Sequence, residues 1–462
     1  MGSSKINCDD LTPAGRICLH PEMDLIIHCA FGVKNPIDVD SIKAFVRNSL
    51  MVEHPRFCSL LIDIDKHIII VDPTTKDAVE DDDSNHVDSS DNNDDVERIV
   101  NDYLADLSVT TPLSEDKPLW ELHLLLKQNC IVYRIHHALV DGISLMSLFQ
   151  ADCRKADDPK AVPTVVSGGR RDSTCSGLRG NSNGWIRVLL GSLNMVLFSC
   201  VFCLEFVMRG FWLRDQKTVI TGGPGVELWP RKLATAKFRM EDMKVVKEAI
   251  ASATINDVLF GVISSGLSRY LDHRYPNALS DGLRLTGLEM DMSELMENNS
   301  RSRWGNKFGA LLLPVYYQKG GVDDHLEYVR RAKKMIDRKK RTFEARFSYS
   351  ISCLVLYWLG LKAAYRRTYR LICNTSFTVS NVVGPKEIII GDNPVTFLRV
   401  NVSSMPQALV MHMVSYEGRA DMQILVAKDI IPDPEFLAKC FEGALLDMKE
   451  AATRSASFNP IV

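Results

Sequence analysis

The sequence predicts an α/β protein: mixed β-sheets with flanking helices, arranged in two domains. Three observations carry that expectation. The chain's 462 residues exceed what one hydrophobic core usually serves. β-branched, strand-like runs alternate along it with runs of helical period. A polar stretch rich in Gly and Ser then leads into the most apolar run of the chain, near its middle. The division that follows is an N-terminal half at 1–175, a linker with an apolar segment at 176–221, and a C-terminal half at 222–462.

Taken in order, Leu25 to Ala30 reads as a first strand, and Asp40 to Val52 as a helix that ends before Pro55, since proline disfavours a helical residue before it. Leu60 to Val71 is apolar and β-branched, a second strand region. Asp77 to Asp95 is acidic and nearly free of large apolar groups. It cannot bury enough surface to offset its ordering entropy, which predicts a disordered surface loop. Val96 to Leu107 returns to helical period. Pro118-Leu119-Trp120, Glu121 to Leu126, a short connection and Cys130 to His136 have the grammar of a hairpin, with the proline at a strand start. Trp120 is read first as a core residue, with a channel wall as the alternative.

Arg154 to Gly184 reads as a linker. Val188 to Leu204 carries no charge. Arg187 precedes it, Glu205 and Arg209 follow at i,i+4 spacing, and Trp185 and Trp212 bracket it like interfacial anchors. The run is at the lower limit for crossing about 30 Å of hydrocarbon, so membrane association is expected rather than a buried core helix. In the second half, Ala253 to Phe260 looks like a helix start, with Thr254 or Asn256 as cap. Arg330 to Arg341 is a basic helix face, expected to be solvated. Tyr349 to Leu361 is apolar but too short to span and is assigned to the core. Phe377 to Val383 alternates and stops at Gly384-Pro385, a strand into a turn. Leu409 to Tyr416 and Met422 to Ala427 make further strands, and Pro434 to Ala451 an amphipathic closing helix.

Bulk numbers exclude some classes. A formal net charge of -3 argues against a nucleic-acid partner. Twelve cysteines are scattered, and the C-x-x-C at Cys200 and Cys203 has no second pair, so thiols in a reducing compartment are expected, with no metal. The N-terminus lacks the apolar core of a signal peptide and the Ser or Thr of a myristoylation site, where Ile6 stands. Both favour a cytosolic catalytic face.

The chemistry concentrates in His136-His137-Ala138-Leu139-Val140-Asp141-Gly142, between the strand Cys130 to Ile135 and a helical run from Ile143 to Phe149. Neighbouring side chains of an extended segment point to opposite faces, so the two histidines cannot aim at one reacting atom. His137, at the strand's end, is the candidate general base, its neutral imidazole able to take a proton from an alcohol. His136 becomes a packed, hydrogen-bonded neighbour. Asp141 is expected to organise the turn, and Gly142 to permit a conformation or a close approach that a β-carbon would block. The plain alternative is a histidine pair beside a helix N-cap, with Asp141 as the cap. No H-E-x-x-H pair or recognisable cysteine nucleophile occurs, and the one G-x-S-x-G string, Gly180 to Gly184, falls in the linker stretch rather than at the strand-to-helix turn an elbow needs. A base without a protein nucleophile implies direct attack of one substrate on another.

The His-His-x-x-x-Asp-Gly pattern resembles the active-site motif of CoA-dependent acyltransferases with the chloramphenicol acetyltransferase-like fold. Within that group the chain is similar, nearly end to end, to the plant wax ester synthase/diacylglycerol acyltransferase family. The likeness is carried by Leu11-Thr12-Pro13, His54-Pro55-Arg56-Phe57, Pro118-Leu119-Trp120, the loop continuing into Ile143-Ser144-Leu145-Met146, and Pro224-Gly225-Val226-Glu227. Asn256-Asp257-Val258, Arg303-Trp304-Gly305-Asn306, Ser380-Asn381-Val382-Val383-Gly384-Pro385 and Ile431-Pro432-Asp433-Pro434 complete it. The D-F-G-W-G motif of BAHD acyltransferases is absent.

The resemblance implies two similar α/β halves with the motif histidine at their interface and substrates entering a tunnel from opposite faces. It implies that His137 deprotonates a long-chain alcohol or diacylglycerol, which attacks an acyl-CoA thioester; acyl-CoA is a substrate and no cofactor is needed. Asn256 and Asp257 would support the site, with Asn256 as an oxyanion donor, tunnel wall or cap. Pro118, Leu119, Trp120, Ser380 and Asn381 would line the substrate channel. Membrane lipid is an expected partner, and the endoplasmic reticulum membrane the expected location, with the plasma membrane second. The segment Arg284 to Met290 looks shortened against the family pattern, which motivates a rival: a non-catalytic lipid- or acyl-CoA-binding protein of the same fold.

Overall fold

The computed structural model describes residues 11–58, 62–72, 91–110, 112–114, 116–155, 184–276, 279–291 and 309–458. Strand β1 (Ile26–Val33) is buried at every position, which suits a near-continuous apolar run covered on both faces. It pairs antiparallel with β4 (Cys130–His136) on one side and with β11 (Asn393–Val402) on the other. Beyond β4 lie β3 (Trp120–Leu125) and β2 (Ile68–Val71); beyond β11 lie β10 (Ile388–Ile390) and the two-residue β5 (Arg154–Lys155). The first sheet thus has the order β2-β3-β4-β1-β11-β10-β5. A second sheet is built from β6 (Arg231–Arg239), β7 (Arg284–Asp291), β8 (Gly309–Tyr316), β9 (Phe377–Val383), β12 (Leu409–Tyr416) and β13 (Arg419–Ala427). Its order is β6-β13-β12-β9-β7-β8. Both sheets are mixed, with β2 parallel to β3 in the first and β9 parallel to both β7 and β12 in the second.

The chain crosses between the sheets in a way that positions the site. After β9 it leaves the second sheet and runs as β11 against β1, with Val402 opposite Ile27. It then returns to the second sheet as β12. Gly32 marks the close approach in this pairing: a Cβ built there would lie 2.1 Å from the Phe397 ring. One apolar core packs around the first sheet. The other packs around the second, closed by residues of the helices Ile255–Arg274 and Pro434–Phe458.

Several expectations change. Of the expected 60–71 strand, 60 and 61 lie outside the described residues, 64–67 form a helical turn capped by Asp63 accepting from the Asp65 N–H at 3.2 Å, and Ile68–Val71 is a strand. Of the acidic stretch, 77–90 lie outside the described residues, and 91–95 belong to the helix Asp91–Thr110; acidic side chains suit a helix N-terminus. Residues 156–183 of the expected linker also lie outside the described ones. Arg284–Asp291 is an eight-residue strand paired with β8 and, over part of its length, with β9. Trp304, Gly305 and Asn306 fall outside the described residues.

The two apolar stretches share one environment, not two. Val188 to Leu204 lies in the helix Gly184–Arg209, where Leu189, Leu193, Leu197 and Leu204 are exposed. Tyr349 to Leu361, expected in the core, turns only one side to it: Ile351, Val355 and Leu356 pack against the first core, while Tyr357 is 82% and Trp358 71% exposed. Composition cannot separate a core face from a face open to an apolar surrounding. Gly360, at φ 78° and ψ 174°, breaks the helix Glu344–Cys373, after which Ala364, Tyr365, Leu371 and Ile372 are buried.

Candidate active site

The His137 N–H donates to the Leu25 carbonyl at 2.8 Å, which carries the β1–β4 pairing one residue past the end of β4. Strand alternation therefore extends through both histidines and turns them to opposite faces. The ring of His136 is held at both nitrogens. Its Nδ1 accepts from the Ala138 N–H at 3.0 Å, and its Nε2 lies 3.0 Å from Asp24 Oδ1. An accepting Nδ1 leaves the proton on Nε2, directed at the carboxylate.

Asp141 is the N-cap of the helix Gly142–Asp152; its Oδ1 accepts from the Ser144 N–H at 2.8 Å. This cap fixes the turn at which the loop becomes helix. Gly142 opens the helix and lines the cavity described next, so what it supplies is the lack of a side chain rather than an unusual backbone. Arg56 Nη1 donates to the Leu139 carbonyl at 3.2 Å, strapping the loop from the His54-Pro55-Arg56-Phe57 segment.

His137 opens into a cavity of about 50 Å³ whose walls come from both sheets. Ile27 and Val402 supply the first sheet's side; Thr378, Ser380 and His412 supply the second's. It lies at the seam, where the chain returns from β11 to β12. His412 is a site residue that sequence reasoning missed. It stands opposite Ser380 in the β9–β12 register and is buried, with no partner for Nδ1 among the described residues. Burial, and then the charge of His137, push its pKa down to about 3, so it stays neutral. The available signal was a histidine inside the apolar run Leu409 to Val414. Thr378 donates to Gln407, whose Nε2 in turn donates to Thr375 Oγ1 at 2.7 Å.

The other candidates divide. Ser380 lines the cavity; Asn381, one residue on, points away and donates from Nδ2 to Asn256 Oδ1 at 2.5 Å. Thr254 and Asp257 form a reciprocal capping box at the start of the helix Ile255–Arg274. The cap is thus Thr254, not Asn256, and neither Asn256 nor Asp257 is a wall of the His137 cavity. The channel expected at Pro118, Leu119 and Trp120 is also corrected. Trp120 is wholly buried, stacks on His67 with ring centroids 3.9 Å apart, and donates from Nε1 to the Phe57 carbonyl at 3.1 Å. Leu119 offers its carbonyl to the His136 N–H at 3.0 Å. The trio anchors the strand beneath His136, because a large indole gains more from complete burial than from a cavity wall.

Comparison with known proteins gives matches along the chain. The wax ester synthase/diacylglycerol acyltransferase catalytic domain model matches residues 98–259, and the WS/DGAT C-terminal domain model matches residues 304–449. Wax ester synthase/diacylglycerol acyltransferase 11 of Arabidopsis thaliana is 34% identical, over 96% of this chain and 95% of its own. Wax ester synthase/diacylglycerol acyltransferase 5 of the same plant is 32% identical, over 95% and 93%. Among solved structures, a wax ester synthase/diacylglycerol acyltransferase from Marinobacter aquaeolei VT8 superposes with a TM-score of 0.56 at 14% identity, covering 96% of this chain and 99% of that one. A trichothecene 15-O-acetyltransferase from Fusarium sporotrichioides gives 0.54 at 13% identity, covering 96% and 95%. These two structures bear on the fold alone, a two-domain α/β acyltransferase fold.

Proposed function

Since the chain belongs to the wax ester synthase/diacylglycerol acyltransferase family and is thereby an acyltransferase, we propose that His137 serves as its general base in moving a long-chain acyl group from acyl-CoA to a long-chain alcohol or diacylglycerol. The neutral imidazole accepts the hydroxyl proton as the alcohol oxygen attacks the thioester carbonyl carbon. The tetrahedral intermediate collapses, the C–S bond breaks, and the proton on His137 passes to the departing CoA sulfur. A wax ester or triacylglycerol and free CoA leave, and the imidazole is neutral again. Base assistance of this kind is worth about two to four orders of magnitude in rate.

The surrounding residues have supporting tasks. His136 and Asp24 fix the strand end on which His137 sits, and the Asp141 cap fixes the loop that follows. His412, neutral at ordinary pH, offers an imidazole to the same cavity without setting a second positive charge against a protonated His137. Its N–H can stabilise the oxyanion as charge develops, and such donors act strongest where water is excluded. The apolar walls keep water from competing with the alcohol for the thioester.

The observation that carries this reading is the opening of His137 into a mainly apolar cavity built by both sheets. The match of residues 98–259 to the family's catalytic-domain model favours catalysis over the non-catalytic rival. The endoplasmic reticulum membrane, with the catalytic face cytosolic, is the proposed location. The test is incubation of purified protein with labelled palmitoyl-CoA and either hexadecanol or dioleoylglycerol. Labelled ester that depends on the added acceptor supports the reading; acyl-CoA binding without ester from either acceptor overturns it.

A further inference from the structure

We propose that the helices Gly184–Arg209 and Glu344–Cys373 together form a platform that docks on one leaflet of an anionic phospholipid bilayer, and that the cavity behind them admits an aliphatic chain of a neutral lipid from that leaflet. The docking half stands independently of the acyl-transfer reading; the cavity half rests on it.

The two helices lie side by side. Phe206 meets Phe347 edge-on with ring centroids 6.4 Å apart, and the Phe343 N–H donates to Ser199 Oγ at 3.3 Å. Ser199, Phe206 and Arg209 face the protein and are buried, whereas Leu189, Leu193, Leu197 and Leu204 face outward. On the neighbouring helix Leu354, Tyr357, Trp358 and Leu359 face outward too. Apolar side chains scattered singly are ordinary, but a contiguous patch marks an interaction surface.

Two features select a bilayer surface as the occupant. The first is charge. Glu344 is the sole acidic residue of the helix Glu344–Cys373 and is buried against Lys339, 2.7 Å away. The exposed charges on that helix are Arg346, Lys362, Arg366 and Arg370, with Lys340 and Arg341 just before it. Exposed basic groups on the helix that carries an apolar face suit anionic headgroups, and Trp and Tyr suit the membrane interface. The second is length. Before the Gly360 break the helix Glu344–Cys373 is about 24 Å long at 1.5 Å per residue, short of the roughly 30 Å needed to cross. The helix Gly184–Arg209 is pinned at its end. Arg209 bonds Asp215 at 2.8 Å, Thr286 at 2.9 Å and the Asn374 carbonyl at 2.7 Å. The helix Gly184–Arg209 is long enough by itself to cross, but it packs beside the shorter segment before Gly360 with its end held in the protein, and the pair is assigned to the membrane surface.

Behind the platform is a cavity of about 80 Å³. It is bounded by Ile17, Leu25, Phe206, Ser352 and Arg367. The Arg367 guanidinium lies over the Phe206 ring at 5.3 Å, and its Nη2 is buried without a partner among the described residues. That N–H is a ready donor for the hydroxyl or ester oxygen of a lipid whose chain fills the apolar remainder. Leu25 lines this cavity and Ile27 lines the His137 cavity. Residues two apart share one face of a strand, so the two cavities follow one another along β1.

The test adds purified full-length protein to preformed vesicles of phosphatidylcholine, with or without phosphatidylserine, and measures flotation. Wild type is expected to float with the serine-containing vesicles. The double variant Leu193→Glu/Leu197→Glu is expected to lower the bound-to-free ratio at least about tenfold. Lys362→Glu/Arg366→Glu is expected to lower it about tenfold on anionic vesicles only. Circular dichroism checks that each variant is folded, and none of this requires turnover. Unchanged flotation of the leucine variant overturns the platform; equal flotation of the charge variant on both vesicles, at wild-type level, overturns its anionic preference. For the cavity, Ser352→Trp and, separately, Cys18→Trp should each reduce binding of labelled dioleoylglycerol at least about tenfold. Undiminished binding in both overturns the cavity while leaving the platform standing.

Discussion

Acidification should destabilise this fold through His412, by an amount its burial sets. Burial, helped by the charge of His137, pushes its folded pKa down to about 3, while the unfolded chain titrates near the ordinary value of about 6.5. Above the unfolded value neither state binds the proton, and the full stability is present. Below it the unfolded chain binds a proton that the folded protein does not, so stability falls with pH until the folded value is passed. Each pH unit inside that window costs about 1.4 kcal/mol. Moving from about pH 7 to about pH 5 should therefore remove about 2 kcal/mol. The assay is urea unfolding followed by tryptophan fluorescence at both pH values, for wild type and His412→Gln, whose amide takes no proton. His28, pushed well below its ordinary pKa by burial and then by Arg134 and His123, is present in both proteins and cancels in the difference. The stability gap between the two proteins should shift by about 2 kcal/mol toward the variant on acidification. A gap that is the same at both pH values would refute a neutral, buried His412.

Three further changes test the scaffold around the site. Asp141→Ala removes the cap on the Ser144 N–H and should lower stability by about 1 kcal/mol, read as a lower thermal midpoint. Gly32→Ala sets a methyl group 2.1 Å from the Phe397 ring and should destabilise by about 1–3 kcal/mol; Gly391→Ala, which lies outside the β1–β11 pairing, is a comparison for ordinary left-handed strain. Arg209→Met leaves Asp215 and Glu205 without the guanidinium they now face at 2.8 and 3.0 Å. Breaking such a buried pair should remove about 3–5 kcal/mol, measurable by urea unfolding, and Asp215→Asn combined with it should recover part of the loss.

Local chemistry was legible in the sequence and long-range register was not. The histidine loop could be read because alternation at the end of β4, a capping aspartate and the following helix are all encoded within a few residues. The Glu205–Arg209 pair was readable for the same reason, from i,i+4 spacing alone, and it forms at 3.0 Å. His412 was hidden because only the pairing of β9 with β12 brings it beside Ser380. The crossing of β11 into the first sheet was hidden too, since an apolar strand carries no mark of which sheet it joins. Trp120 took the first of its two readings, the core, whereas Tyr349 to Leu361, assigned wholly to the core, turns one side outward. Hydrophobic composition says that water is avoided, not what replaces it.

The claim on which the rest depends is that His137 moves the proton. Its most direct test is the initial rate of ester formation from palmitoyl-CoA and hexadecanol by His137→Ala and by wild type, with thermal midpoint and vesicle flotation measured alongside. The account predicts a fall of about two to four orders of magnitude with midpoint and flotation held. A variant within about tenfold of the wild-type rate would contradict it.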